Sequence, residues 1–115
     1  MKEFLMIFRN SNGGEKPSPE QMQAMMKQWQ DWIGGIAAQN KLSSSGNRLS
    51  ADDSRVVKPN NLITNGPYVE IKEAVGGYII VKTNSVDEAA ELAKGCPILK
   101  IGGNVEVRTV VPMEM

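Results

Sequence analysis

Two pairs of charged side chains are the first candidates for chemistry in this sequence. Glu70 and Lys72 lie two residues apart, and so do Glu106 and Arg108. Because side chains two residues apart point the same way in an extended strand, each pair places a carboxylate beside a cation. Such a pair can bind a polar ligand or move a proton where burial shifts its pKa values. It can equally form an ion pair at a rim or at a subunit contact.

Three aromatic side chains complete the candidate site. Tyr78 lies in an apolar run typical of a strand, and Trp29 and Trp32 are three residues apart on a predicted helix. The two tryptophans either pack between helix and sheet or form an apolar wall for an aromatic ligand. The candidate ligand-binding residues are therefore Trp29, Trp32, Glu70, Lys72, Tyr78, Glu106 and Arg108.

The composition excludes several kinds of chemistry. The 115 residues contain no histidine and one cysteine, Cys96. Without histidine there is no Ser-His-Asp or Cys-His catalytic pair and no histidine-based metal site. One cysteine cannot form an internal disulfide or a cysteine-rich metal cluster, and Cys96 has no nearby base to activate it. We predict neither a metal nor a cofactor.

Charge and hydropathy limit the partners. Lys and Arg total 13 and Asp and Glu total 13, and this balance disfavours nucleic acid, whose phosphates require a basic surplus. No window approaches the roughly 20 apolar residues of a membrane span, and the N-terminal apolar run is too short for a signal peptide. These features predict one cytoplasmic domain over residues 1–115 that binds neither nucleic acid nor membranes.

Periodicity and capping signals indicate the elements in the first half of the chain. Residues 3–9 form an apolar run that predicts a buried strand. Residues 18–36 begin with a capping-box pattern and continue as an apolar stripe at helical spacing, which predicts a long helix. The polar segment 43–47 predicts a loop, and segment 55–64 predicts a hairpin that turns at a Pro-Asn step.

The second half supplies the remaining elements of the fold. Residues 75–83 give the clearest strand signal, residues 85–95 a second capped helix, and residues 105–111 a last strand. The order predicts an α+β fold, a ferredoxin-like β-α-β-β-α-β sheet with an extra hairpin and both helices on one face.

Two helices on one face leave the other face of the predicted sheet uncovered. Strand alternation assigns to the helix side the residues Leu5, Ile7, Ile79, Val81, Val105 and Val107. It assigns to the opposite side Phe4, Met6, Phe8, Tyr78, Ile80 and Val110, with Lys82, Glu106 and Arg108 among them. Because that side is too apolar to remain in water, we expect a second copy of the chain to cover it, sheet against sheet. The sequence therefore predicts a homodimer.

A motif over residues 65–78 resembles the signature of the YCII-related family in its DGPF subgroup. It reads Asn-Gly-Pro-Tyr, then Glu-x-Lys-Glu, then Gly-Gly-Tyr. The subgroup commonly has Asp-Gly-Pro-Phe, then Glu-x-Lys-Glu, then Gly-Gly-Phe or Gly-Gly-Tyr. The helix start at 18–20, the alanine-rich helix at 85–93 and the terminal segment 103–108 are also similar, so the resemblance covers nearly the whole chain.

The resemblance implies subunits that pair as a dimeric α/β barrel, which agrees with the homodimer predicted from the uncovered face. Relatives that break down aromatic compounds are associated with a His–Asp pair, which this chain lacks. Three functions remain open. The first is a homodimer that binds a small molecule in a regulatory or accessory role. The second is an enzyme that acts on a small aromatic or carbonyl compound through Glu, Tyr and Arg. The third is a pure interaction module.

Overall fold

The computed structural model describes residues 1–9, 18–50, 53–65 and 75–113. These residues form six strands and two helices in a mixed α+β arrangement. In chain order they are β1 (Lys2–Arg9), α1 (Pro19–Ala38), β2 (Leu42–Arg48), β3 (Arg55–Lys58), β4 (Leu62–Asn65), β5 (Val75–Thr83), α2 (Val86–Ala93) and β6 (Asn104–Thr109). Of the described helices, neither is long and apolar enough to cross a membrane.

Four of the strands form one antiparallel sheet in the order β2-β5-β1-β6, and β3 pairs with β4 in a separate two-stranded sheet. The hairpin predicted over 55–64 is thereby confirmed. The two central strands, β1 and β5, pair from Lys2 opposite Thr83 to Arg9 opposite Val75. They position every other element of the main sheet.

The prediction of a loop at 43–47 is wrong, because these residues belong to the edge strand β2. The pairing of β2 with β5 shifts register twice, and Gly46 adopts a positive φ of 60° between the shifts. A bulged edge strand needs glycine and short polar residues, which in sequence resemble a turn. The hydroxyl of Ser43 also donates to the carboxylate of Glu3 on β1 and so links β2 to the sheet.

Both helices begin at the predicted caps. The Ser18 hydroxyl accepts from the Gln21 N–H, and the Gln21 side chain accepts from the Ser18 N–H, which completes a capping box on α1. On α2 the Ser85 hydroxyl accepts from the Glu88 N–H. The Glu88 carboxylate, however, accepts from the N–H of the residue before Ser85, so the second capping box is only half formed.

The core lies between the main sheet and the two helices. Its buried residues are Phe4, Met6, Phe8, Ile36, Ile79, Val81, Ala89, Ala93, Cys96 and Ile98. Val105 and Val107 pack against this core from β6, as predicted. Because Ile36 lies on α1 and Ala89 on α2, both helices cover the same face of the sheet.

The sequence-based assignment of β1 is wrong by one residue. Phe4, Met6 and Phe8 face the helices, whereas Leu5 and Ile7 were expected to do so. Alternation could not decide between the two faces, because both faces of this central strand are apolar. The register decides it, since Met6 stands opposite the buried Ile79 and the half-buried Val107.

Candidate ligand site on the open sheet face

We call the sheet face opposite the helices the open face. On the three strands β5, β1 and β6 it includes Glu3, Leu5, Ile7, Arg9, Tyr78, Ile80, Lys82, Glu106 and Arg108. Two rows run across these strands. Ile7 stands between Tyr78 and Glu106, and Leu5 stands between Ile80 and Arg108. Three of the seven predicted site residues therefore come together on one surface.

A carboxylate shared by two guanidinium groups forms the charged part of this surface. Glu106 Oε1 accepts from Arg9 Nη2 at 3.2 Å, and Glu106 Oε2 accepts from Arg108 Nη1 at 3.4 Å. The Arg108 side chain is 68% exposed, whereas those of Arg9 and Glu106 are 27% and 38% exposed. Arg108 is thus the cation of this cluster that is most accessible to a ligand.

Arg9 is a member of the cluster that the sequence did not identify. Alternation places it with Leu5 and Ile7, and the sequence-based assignment of that group to the helix side was wrong. The spacing of Glu106 and Arg108 did identify their shared face, because β6 alternates cleanly between apolar and charged residues.

A second polar group lies at the side of the open face formed by β2. The Asn47 amide donates to the Tyr78 hydroxyl at 3.1 Å. Asn47 and Tyr78 are Cα partners, so the bulged edge strand positions this contact. Asn47 was missed because its segment was predicted to be a loop.

The residues between these polar groups are apolar. Leu5, Ile7 and Ile80 are half-buried and lie in adjacent positions on neighbouring strands. Around them the nine open-face residues defined above carry three cations and two carboxylates, which leaves one positive charge in excess. This surface can therefore hold a ligand that has an apolar body and one negative charge.

The two tryptophans lie on the other side of the sheet. Trp29 and Trp32 are half-buried and meet Phe8 edge to face, with ring centroids 4.8 Å and 5.9 Å away. The Trp32 Nε1 donates to the carbonyl of Leu92 on α2 at 2.9 Å. The sheet separates them from Tyr78, Glu106 and Arg108, and these contacts support packing between helix and sheet.

Of the remaining candidates, only Cys96 is in the part of the chain that the structure describes. Glu70 and Lys72, predicted to be site residues, lie outside the described residues. Cys96 is 2% exposed, and its burial raises the pKa of its thiol to about 11. A thiol with that pKa is almost wholly protonated near neutral pH, so it is a poor nucleophile.

The fold and the surface together define a small α+β domain whose sheet has one face packed by helices and one open face with both apolar and charged residues. The sequence model of the YCII-related domain matches residues 3–114, and the chain therefore belongs to this family. A search of the curated proteins found no match.

Proposed function

We propose that this protein is a cytoplasmic homodimer that binds a small organic acid on its open face, in a regulatory or accessory role. We also propose that its fold is the ferredoxin-like sheet and dimeric α/β barrel expected from the sequence. The strand order β2-β5-β1-β6, with the hairpin as an insertion, supports a ferredoxin-like sheet. Two such sheets packed face to face would form the dimeric α/β barrel implied by the DGPF subgroup.

The observation that carries the proposal is the apolar centre of the open face. Leu5, Ile7 and Ile80 are contiguous on neighbouring strands, while both described helices pack on the other side. Burial of apolar surface contributes roughly 25 cal/mol per Å². A second sheet facing this one would enclose these side chains, together with two copies of the Glu106 cluster, in a shared space that could hold the ligand.

The class of ligand follows from the charge and the polar groups at the margins of that centre. Arg108 is exposed and can pair with a carboxylate through its planar fork of donors. The Tyr78 hydroxyl and the Asn47 amide can bind a polar substituent at the opposite margin. The apolar residues between them would contact a ring or a short chain.

Binding is better supported than catalysis by the same cluster. Both carboxylate oxygens of Glu106 accept from guanidinium groups, so this carboxylate already has two cationic partners. A general base must instead be within reach of the proton it removes from the substrate. The cluster resembles a charged recognition site more than a proton-transfer site.

Thermal unfolding in the presence of benzoate tests the ligand class, with benzyl alcohol as the uncharged control. A ligand present at 100 times its dissociation constant stabilises the fold by about 2.7 kcal/mol. We expect benzoate to raise the Tm of the wild-type protein, benzyl alcohol to have a much smaller effect, and Arg108→Gln to abolish the difference. Equal shifts by the two compounds, or an undiminished benzoate shift in Arg108→Gln, would contradict the proposed site.

A further inference from the structure

Two apolar side chains on one side of the β3–β4 hairpin are exposed to solvent. Val57 and Ile63 stand directly opposite each other, and they are 68% and 61% exposed. The other side of the hairpin carries Val56 opposite Thr64, both half-buried. Leu62 lies on the same side as Val56 and Thr64 and is 56% exposed, so the difference between the two sides is one of degree. We call the more exposed side, that of Val57 and Ile63, the outer side.

A two-stranded sheet is marginally stable in water on its own. While Val57 and Ile63 are exposed they add little to the stability of the hairpin, because directly opposed aliphatic side chains stabilise a hairpin best when they are shielded from solvent. A surface that covers Val57 and Ile63 would stabilise the hairpin and bury apolar area at the same time.

The size of the open face indicates what could cover the hairpin. Four strands spaced about 4.8 Å apart, with about six residues of 3.4 Å rise each, make a face of roughly 400 Å². A stable protein–protein interface buries about 800 Å² on each partner. The open face therefore has a footprint smaller than a standard interface, and further apolar surface beside it would enlarge the area that a dimer buries.

The hairpin leaves the main sheet at the end where the open-face polar groups lie. It is inserted between β2 and β5, whose paired residues at this end are Arg48 and Gly77, next to Tyr78. Arg55 at the start of β3 comes seven positions after Arg48, a reach of at most about 24 Å. A second copy on the open face would thus lie within reach of the hairpin.

We infer that the outer side of the β3–β4 hairpin packs against the second copy of the chain and completes the dimer interface. The inference rests on the proposed function, because it presupposes that a second copy covers the open face. In this arrangement the hairpin adds apolar surface to the dimer interface that the open face forms. Each copy contributes one hairpin, so a two-fold dimer contains the contact twice.

Analytical ultracentrifugation of paired variants tests this contact. Val57→Ser combined with Ile63→Ser removes the outer pair. Met22→Ser combined with Met26→Ser is the matched control, because these side chains on α1 are 48% and 57% exposed. We expect the hairpin variant to raise the dimer dissociation constant at least tenfold and the control to change it less than twofold.

A second measurement covers the case in which the serine variant disrupts the hairpin itself. Ile63→Cys and Met26→Cys each accept a polarity-sensitive thiol dye, while the native Cys96 is buried. As the protein concentration rises through the dimer range, the dye at position 63 should shift its emission to the blue, and the dye at position 26 should not.

The outcomes separate this inference from the proposed function. If the hairpin variant keeps the wild-type dissociation constant and the dye at position 63 does not respond, the hairpin inference is overturned and the dimer stands. A protein partner other than a second copy would then be the occupant to seek. If the wild-type protein is monomeric at 100 µM, both the inference and the proposed homodimer fail.

Discussion

Arg9 on the central strand β1 donates to Glu106 on the neighbouring edge strand β6 at 3.2 Å. The same carboxylate accepts from Arg108. One acidic group therefore holds two cations beside the apolar centre of the open face. Glu106 is therefore the carboxylate that balances the two arginines of this cluster, and its neutralisation gives a direct test of the ligand class.

Neutralising that carboxylate should strengthen binding of an organic anion. Glu106→Gln keeps the size of the side chain but raises the excess of positive charge on the open face from one to two. One unit charge several ångströms from the ligand in a wet site changes affinity by about threefold to fivefold. Isothermal titration with benzoate at low salt should show tighter binding by that factor, and unchanged or weaker binding would contradict the charge argument.

The assignment of the two faces of β1 predicts an order of stabilities. Met6 is fully buried against the helices, so Met6→Ala should cost about 2–5 kcal/mol of unfolding free energy. Leu5 is half-buried on the open face, so Leu5→Ala should cost less than half as much in the monomer. Urea unfolding at a concentration below the range of the proposed dimer measures both values. The reverse order would support the face assignment derived from alternation alone.

Two glycines should respond to alanine in opposite directions. Gly46 has a positive φ, and a Cβ there would lie 1.7 Å from the Tyr78 carbonyl oxygen, so Gly46→Ala must displace β2 from β5. A Cβ on Gly34, inside the C-terminal half of α1, would meet nothing within 4 Å. Gly34→Ala should therefore stabilise the protein by about 1 kcal/mol, which raises the Tm by about 4 °C. Calorimetry of both variants should show one large decrease in Tm and one small increase.

These glycines also illustrate how far the sequence could predict the fold. The caps at Ser18 and Ser85 are local signals, since the acceptor and its N–H partner lie three residues apart, and both helix starts were predicted correctly. The bulge at Gly46 depends on the register of a strand more than 30 residues away. A local pattern rich in serine, glycine and asparagine therefore indicated a loop where the structure has an edge strand.

Site residues could be predicted from the sequence where they lie on a strand that alternates regularly between apolar and charged residues. The alternation of β6 correctly placed Glu106 and Arg108 together on the face away from the helices. Arg9 and Asn47 could not be found in the same way. Arg9 lies on a central strand that is apolar on both sides, and Asn47 lies on the bulged strand, so each required the pairing of strands that are distant in sequence.

The ion pair between Lys41 and Glu88 should make the free energy of unfolding depend on pH in the acidic range. The hydrogen bond from Lys41, followed by that from the Asn84 N–H, lowers the pKa of Glu88 below its usual value. Because the folded pKa is lower than the unfolded one, this stabilisation is present above the unfolded pKa and is lost as the pH falls through the folded pKa. Glu88→Gln keeps an acceptor for Asn84 but removes the charge.

Urea titrations between pH 7 and pH 3 measure this effect. We expect Glu88→Gln to unfold at lower urea than the wild-type protein at pH 7, and the two midpoints to converge toward pH 3. The contribution should be modest and should shrink in high salt, since the Glu88 side chain is about one-third exposed. A difference that grows as the pH falls would contradict the assigned direction of the pKa shift.

The central claim is that two copies pair through the open face, and sedimentation equilibrium of the wild-type protein beside Ile7→Glu tests it most directly. Ile7 lies at the centre of that face, between Tyr78 and Glu106, where a further carboxylate would be desolvated by a second sheet. The account predicts twice the chain mass of 12.6 kDa for the wild-type protein and 12.6 kDa for Ile7→Glu, with unchanged far-UV circular dichroism. A wild-type mass of 12.6 kDa at 100 µM, or a folded Ile7→Glu variant that remains dimeric, would contradict it.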